Sequence, residues 1–193
     1  RFVADVLKEW MNKGGAYEET AVLYRSNAQS RALEEALLRV SIPYRIYGGL
    51  RFYERLEIKN AIAYLKIIFN NKDNPSFERS ISNPTRGVGE KTLAKIRQVA
   101  KKFNISYIKA SAKLIDEGSI GGRGGAGLKD YLEFIIGCKQ FIEENTLSEL
   151  MELIIKESGL YAYHAKEAGE KGKTRTENLE ELITATKNFE QSV

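Results

Sequence analysis

The stretch Asn83-Pro84-Thr85-Arg86-Gly87-Val88-Gly89-Glu90-Lys91-Thr92-Leu93 has the residue types of an anion clip. Gly87 and Gly89 flank a single apolar residue, so the backbone can turn tightly and approach a ligand with no Cβ in the way. Leu93, Ile96 and Val99 mark the buried stripe of a helix that starts near Gly89. The first amides of such a helix lack partners, and here they stand beside Arg86 and Lys91, so donors, dipole and charge all favour an anion. With Ile81 before the turn and Ile96 after it, the order apolar, turn, Gly-apolar-Gly, helix is that of a helix-hairpin-helix, which holds nucleic-acid backbone without reading bases. A plain helix-helix turn stiffened by Pro84 is the alternative.

Three further places could meet phosphate. Arg25 and Asn27 follow an apolar run, at the end of a strand where ligands of open parallel sheets gather. Read alone, these residues favour Asn27 as a helix N-cap and Arg25 as a solvated charge over phosphate contacts. Arg123 lies in Gly118-Ser119-Ile120-Gly121-Gly122-Arg123-Gly124-Gly125-Ala126-Gly127, which reads as too glycine-rich for a helix and is either a phosphate approach or a flexible connector. Lys171, Lys173 and Arg175 stand at the entry to a last helix, as phosphate contacts or as solvated surface. The sequence has no Gly-x-x-x-x-Gly-Lys-Ser/Thr loop, no nucleophile paired with a base and no metal-ligand cluster, and its single histidine, His164, has no cysteine partners. No catalytic residue, metal or cofactor is expected in this stretch of chain.

The elements that must position these residues are mainly helical. Helices are expected over Phe2 to Met11, around Leu33 to Leu38, over Glu57 to Phe69, from Gly89 to Phe103, over Ser106 to Asp116, around Leu128 to Ile142, over Leu147 to Ser158, and from a Thr174/Glu177 capping box onwards. Trp10 is expected in the core. Ala21-Val22-Leu23-Tyr24 and Ile42 to Tyr47 read as strands, which with the helix between them make a βαβ unit with parallel strands. Tyr47 to Phe52 is a turn. Composition switches from mixed α/β to helices at Asn70-Asn71-Lys72-Asp73-Asn74-Pro75, the expected boundary or hinge. The fold class is therefore α/β, predominantly helical: part of a parallel-sheet domain followed by an all-α domain.

Composition sets outer limits. The 193 residues are 42% hydrophobic, enough for a core, and the net charge of +4 with a pI near 9.0 permits a polyanion partner without requiring one. One cysteine, Cys138, excludes a disulfide framework and points to a reducing, cytoplasmic compartment. No apolar run suits a bilayer, so no membrane partner is expected. The first residue is Arg1, inside what reads as a helix, which suggests a piece of a longer protein.

Longer matches add to this. Ala21 to Arg31 with Leu33-Glu34-Glu35, Ile42 to Arg55 with Glu57-Ile58-Lys59, Pro84 to Gly89, and Gly169 to Arg175 with Glu177 to Leu182 resemble, in order, segments of the UvrD/PcrA/Rep helicases. Tyr47-Gly48-Gly49 and Thr85-Arg86-Gly87 lean towards the UvrD branch. The resemblance implies a superfamily one, ATP-driven 3′ to 5′ DNA helicase of repair and replication, with two RecA-like motors (1A and 2A) that each carry an insertion (1B and 2B). It implies that residues 1–70 are the first part of 2A, 71–75 a hinge, and 76–193 most of the helical 2B. Arg25 and Asn27 would contact single-stranded DNA. Thr85, Arg86, Gly87, Val88 and Gly89, with Lys91, would grip duplex phosphates. Arg123, Lys173 and Arg175 would be further phosphate contacts. ATP and Mg2+ would serve the parent protein, whose Walker motifs are not in this sequence. DNA at a junction, and DNA repair proteins, would be the partners. A stand-alone, non-catalytic helix-hairpin-helix module is the rival reading.

Overall fold

A computed structural model describes residues 2–47 and 49–191. Gly48, within the expected Tyr47–Phe52 turn, lies outside the described residues. The chain forms two compact units, 1–56 and 57–193. The division falls one helix before the composition switch at Asn70–Pro75.

Unit 1 contains α1 (Phe2–Asn12) and α2 (Ser30–Arg39), packed around Ala4, Leu37 and Ile42 with Leu7, Tyr17, Ala36, Val40 and Tyr44 at the margin. Trp10 is 46% exposed and its indole lies on Gly15, where a Cβ would come within 2.0 Å of the ring nitrogen. It therefore covers the turn after α1 and is not a core residue. No strand forms among the described residues, which corrects the expected βαβ unit and parallel sheet. The run 21–24 has the residue types of a strand, but Leu23 is 94% exposed. A parallel pair needs cover on both faces and neighbours to share its ladder, and the described part of this unit supplies neither.

A buried carboxylate organises the unit in place of a sheet. Glu34 accepts from the backbone amide of Phe52 at 3.2 Å, from Ser30 Oγ at 2.8 Å and from Tyr44 OH at 3.1 Å. Arg55, also buried, donates to Ser30 Oγ at 2.7 Å, to Leu50 O at 3.4 Å and to Asn27 O at 2.9 Å. Every lone pair of a buried carboxylate left unpaired would be costly, so three donors converging on Glu34 fix the path of the loop that returns to α2.

Unit 2 is helical: α3 (Leu56–Phe69), α4 (Asn74–Ser82), α5 (Glu90–Phe103), α6 (Tyr107–Asp116), α7 (Gly122–Phe141), α8 (Leu147–Glu157), α9 (Leu160–Ala165) and α10 (Glu170–Glu190). Side chains cap the starts of α4, α6 and α8. The Asp73 carboxylate accepts from Ser76 N at 3.0 Å, and Thr146 and Glu149 form a reciprocal capping box on α8. Asn70 to Asp73 thus make the turn that caps α4. The core holds Ile58, Tyr64, Phe77, Ile81, Ile96, Leu128, Tyr131, Leu150 and Ile154, all fully buried. Phe77 meets Tyr131 edge-to-face at 5.5 Å between ring centres, a favoured aromatic arrangement. Cys138 is buried in this core, which pushes its thiol up to about 12 and leaves it unreactive. No helix among the described residues is long and apolar enough to cross a membrane.

Candidate nucleic-acid interface

The α4–turn–α5 hairpin is built as its spacing requires. Ile81 closes α4 inside the core, Leu93 and Ile96 bury one face of α5, and Val99 is half-buried. Between them the Asn83–Pro84 peptide is cis, Gly87 has φ +74°, and Gly89 is the N-cap of α5 with φ −92°. The carbonyl of Gly89 accepts from Thr92 N and Leu93 N at 3.0 and 3.1 Å. Among the described residues no acceptor pairs with the amides of Gly87 to Lys91. Thr85, Gly87, Gly89 and Lys91 are exposed and Val88 is half-buried. A Cβ added at Gly89 would meet nothing within 4 Å, so the backbone is open on that side of Gly89.

Arg86 turns the other way. Its guanidinium donates to Pro84 O at 3.2 Å and to Ser158 O at 2.8 Å, and sits 5.7 Å from the ring centres of both Tyr64 and Tyr131. Tyr64 in turn donates to Asn83 O at 2.9 Å. Burial holds the Tyr64 and Tyr131 phenols well above their ordinary range, the nearby Arg86 charge only partly offsetting it. The predicted phosphate contact is thus a strut that ties the turn to α3, α7 and the end of α8. Pro84 also packs on the α8–α9 junction, where a Cβ on Gly159 would lie 3.4 Å from its ring.

Only the start of the glycine run, to Gly121, is a connection; α7 begins at Gly122 and takes up the rest, which is not the loop its composition suggests. A Cβ at Gly127 would lie 1.9 Å from Arg86 O, and one at Gly124 would lie 3.1 Å from Gly87 O. Glycines three apart line one side of the helix, and the hairpin backbone rests directly on them. The same packing brings Arg123 to the hairpin, with its Cγ 2.9 Å from where a Gly87 Cβ would stand. Gly87, Gly89, Lys91 and Arg123 therefore form one cluster at the starts of α5 and α7. Glu90 lies beside it, paired to Arg97, which also grips Glu78 through two nitrogens at 2.6 and 2.8 Å and holds that carboxyl below the ordinary range.

The other predicted residues separate. Lys173 is exposed in the first turn of α10, which starts at Glu170, before the expected Thr174 cap. Arg175 faces inward, donating to Glu167 Oε1 at 2.5 Å and lying 3.7 Å from Glu57. Asn178 completes this buried group by donating to Glu57 Oε1 at 2.6 Å, and His164 lies 2.6 Å from Glu167. Gly172 makes the closeness possible, since a Cβ there would meet Glu167 O at 2.3 Å. Arg25 and Asn27 are exposed in unit 1. Asn27 does not cap α2: it opens a short 3-10 turn whose Gln29 side chain accepts from the Arg25 amide at 3.1 Å, while Arg55 holds the Asn27 carbonyl. The tyrosines beneath Arg86 and the Glu57 cluster escape sequence reading, because their partners lie far along the chain. The one available signal was the three-residue spacing of Gly124 and Gly127.

Residues 1–120 match the UvrD-like helicase C-terminal domain. This chain belongs to that family. It is 48% identical to DNA helicase II of Escherichia coli (strain K12) over 98% of its own length and 26% of the relative's. DNA helicase II of Salmonella typhimurium is 47% identical over the same shares, and the ATP-dependent DNA helicase PcrA of Leuconostoc citreum is 38% identical over 91% of this chain and 23% of that protein. The chain thus spans about a quarter of the length of these UvrD-like relatives. The matched residues contain the whole Gly87 hairpin and the Arg25–Asn27 turn.

Proposed function

We propose that this chain is the DNA-gripping part of an ATP-dependent 3′ to 5′ DNA helicase, holding duplex phosphates at the α4–α5 hairpin. The observation that carries the reading is the run of amides from Gly87 to Lys91 that have no partner among the described residues, on exposed backbone at Gly87 and Gly89 with Lys91 and Arg123 close by. Such a surface suits a phosphodiester backbone, because its donors are fixed and its contacts take no account of base identity. The motif is read as a helix-hairpin-helix, with Thr85 and Val88 shaping the approach and Arg86 bracing it from behind. In unit 1, Arg25 and Asn27 are proposed to donate to a single strand, on a turn that Gln29 and Arg55 hold in place. On the family pattern, residues 1–70 are part of motor subdomain 2A, 71–75 a hinge and 76–193 most of 2B. ATP and Mg2+ find no fitting residues here, since the sequence has no phosphate-cradling glycine-lysine loop, and hydrolysis is assigned to other parts of a longer protein.

Fluorescence anisotropy on a 3′-tailed duplex tests this. Wild type is expected to bind with a steep salt dependence and little sequence preference. Gly89→Ala, which has room in the fold, should weaken duplex binding, and Arg25→Ala should weaken binding to the tail alone. Wild-type affinity in a folded Gly89→Ala protein would refute the hairpin.

A further inference from the structure

The basic excess of this chain is concentrated in one place. Between Lys91 and Lys113 lie seven of the 30 basic residues and none of the 26 acidic ones, so this window carries +7 while the remainder of the chain is net −3. The window lies within α5, α6 and the turn between them, whose first and last residues, Glu90 and Asp116, are acidic and bring the whole segment to +5. Two of its cations are already engaged: Arg97 with Glu78 and Glu90, and Lys113 with Glu117 at 2.6 Å. Lys91, Lys95 and Lys102 are exposed, and none is paired with a carboxylate among the described residues. Lys95 reaches only the Ser119 carbonyl, at 3.3 Å, and Lys102 lies against the half-exposed ring of Phe103 at 5.2 Å, with the Lys113 ammonium on the same ring at 4.9 Å.

Helical spacing puts Lys91, Lys95 and Lys102 on one line, within about 40° of each other around the axis and opposite the buried Leu93, Ile96 and Ala100. The line begins at the hairpin amides and runs about 16 Å to the far end of α5. Gln98, exposed on the same face, adds a neutral donor within the line.

We infer that this lysine line is a second contact with duplex DNA, a track along which the phosphate backbone held at the hairpin continues. The inference rests on the duplex-gripping reading and adds Lys95 and Lys102 to it. A phosphodiester chain suits the line because its charges repeat along a strand every ~3.4 Å of helix axis, so ammonium groups spread over several repeats can each neutralise one. The line is made of flexible cations and one amide, and the Phe103 ring beside it lies under the Lys102 and Lys113 ammonium groups, so the contact should be indifferent to sequence.

The test is anisotropy of the whole chain on a blunt duplex of arbitrary sequence, titrated with salt, for wild type, Lys95→Ala/Lys102→Ala, a control of equal charge change (Lys59→Ala/Lys187→Ala), and Gly89→Ala. Each lost phosphate contact lowers the slope of log affinity against log salt by about 0.9, so the track variant should be shallower than wild type by roughly 2 while the control keeps the wild-type slope. A wild-type slope in the track variant, with Gly89→Ala weakened, overturns the track and leaves the hairpin standing. Equal losses in track and control variants overturn it too, reducing the effect to net charge, and an equal loss on a single-stranded oligonucleotide overturns the duplex assignment. If Gly89→Ala binds like wild type while the track variant loses slope, the hairpin reading falls and the lysines stand. If wild type does not bind the duplex, both fall.

Discussion

Substituting one glycine of α7 and then another on the same helix should give effects of opposite sign. At Gly127 an added Cβ would sit 1.9 Å from the Arg86 carbonyl oxygen, against the 3.0 Å that real contacts essentially never undercut, so helix and hairpin must part by more than an ångström. That movement strains the Arg86 bonds to Pro84 O and Ser158 O and its stack on Tyr64 and Tyr131. Overpacking of this kind costs about 1–3 kcal/mol, and each strained buried hydrogen bond adds about 1 kcal/mol. The gain in helix propensity returns only ~1 kcal/mol. Gly127→Ala should therefore destabilise by about 2–4 kcal/mol. Gly137 lies on the exposed side of α7 with nothing within 4 Å, so Gly137→Ala should stabilise by up to ~1 kcal/mol. The assay is urea unfolding followed by far-UV circular dichroism, with the fluorescence of Trp10, the only tryptophan, reporting unit 1 separately. A Gly127→Ala protein as stable as wild type would refute the claim that the hairpin backbone lies on the glycine face.

Arg86→Ala should destabilise unit 2 by about 2–3 kcal/mol through the loss of two charge-assisted hydrogen bonds and the aromatic stack, and Arg86→Lys should recover little because an ammonium cannot serve both carbonyls and both rings; urea midpoints measure this. Glu34→Ala should strip the acceptor from Phe52 N, Ser30 Oγ and Tyr44 OH and cost about 3–5 kcal/mol, read as an earlier Trp10 fluorescence transition. The Asp73 carboxyl is held below its usual range, first by the Ser76 amide and then by the Ser76 hydroxyl. A depressed carboxylate contributes stability above its unfolded pKa and loses it as pH falls through the folded value. The advantage of wild type over Asp73→Asn, about 1 kcal/mol or less at neutral pH, should therefore fade below the ordinary value of 3.8, as urea titrations between pH 2 and 7 would show.

Local chemistry was readable in advance and distant pairing was not. The helix from Leu147, with its Thr146 and Glu149 cap, and the Gly89 start of α5 follow from residues within four positions of each other. The runs at 21–24 and 42–47 carry strand-forming residues, but a strand exists only through a neighbour, and local sequence says nothing about whether one is present. Arg86 looked like a phosphate ligand because its partner Ser158 lies 72 residues away and the aromatic rings under it belong to α3 and α7. By composition the glycines at 124 and 127 suit a phosphate approach or a flexible connector, whereas in α7 they serve as absent side chains. The same holds for Gly172, which lets α10 begin at Glu170 against the carbonyls of His164 and Glu167.

The contact between the α7 glycines and the Arg86–Gly87 backbone has a thermodynamic consequence. A loop seated on a helix and braced by Arg86 is ordered without a ligand, so a duplex bound as proposed would not have to order it. Association would then proceed without a folding step, bury little new apolar surface and leave the heat capacity nearly unchanged. Calorimetry should consequently find a small ΔCp at this hairpin, in contrast with the large negative value of a loop that folds around its ligand.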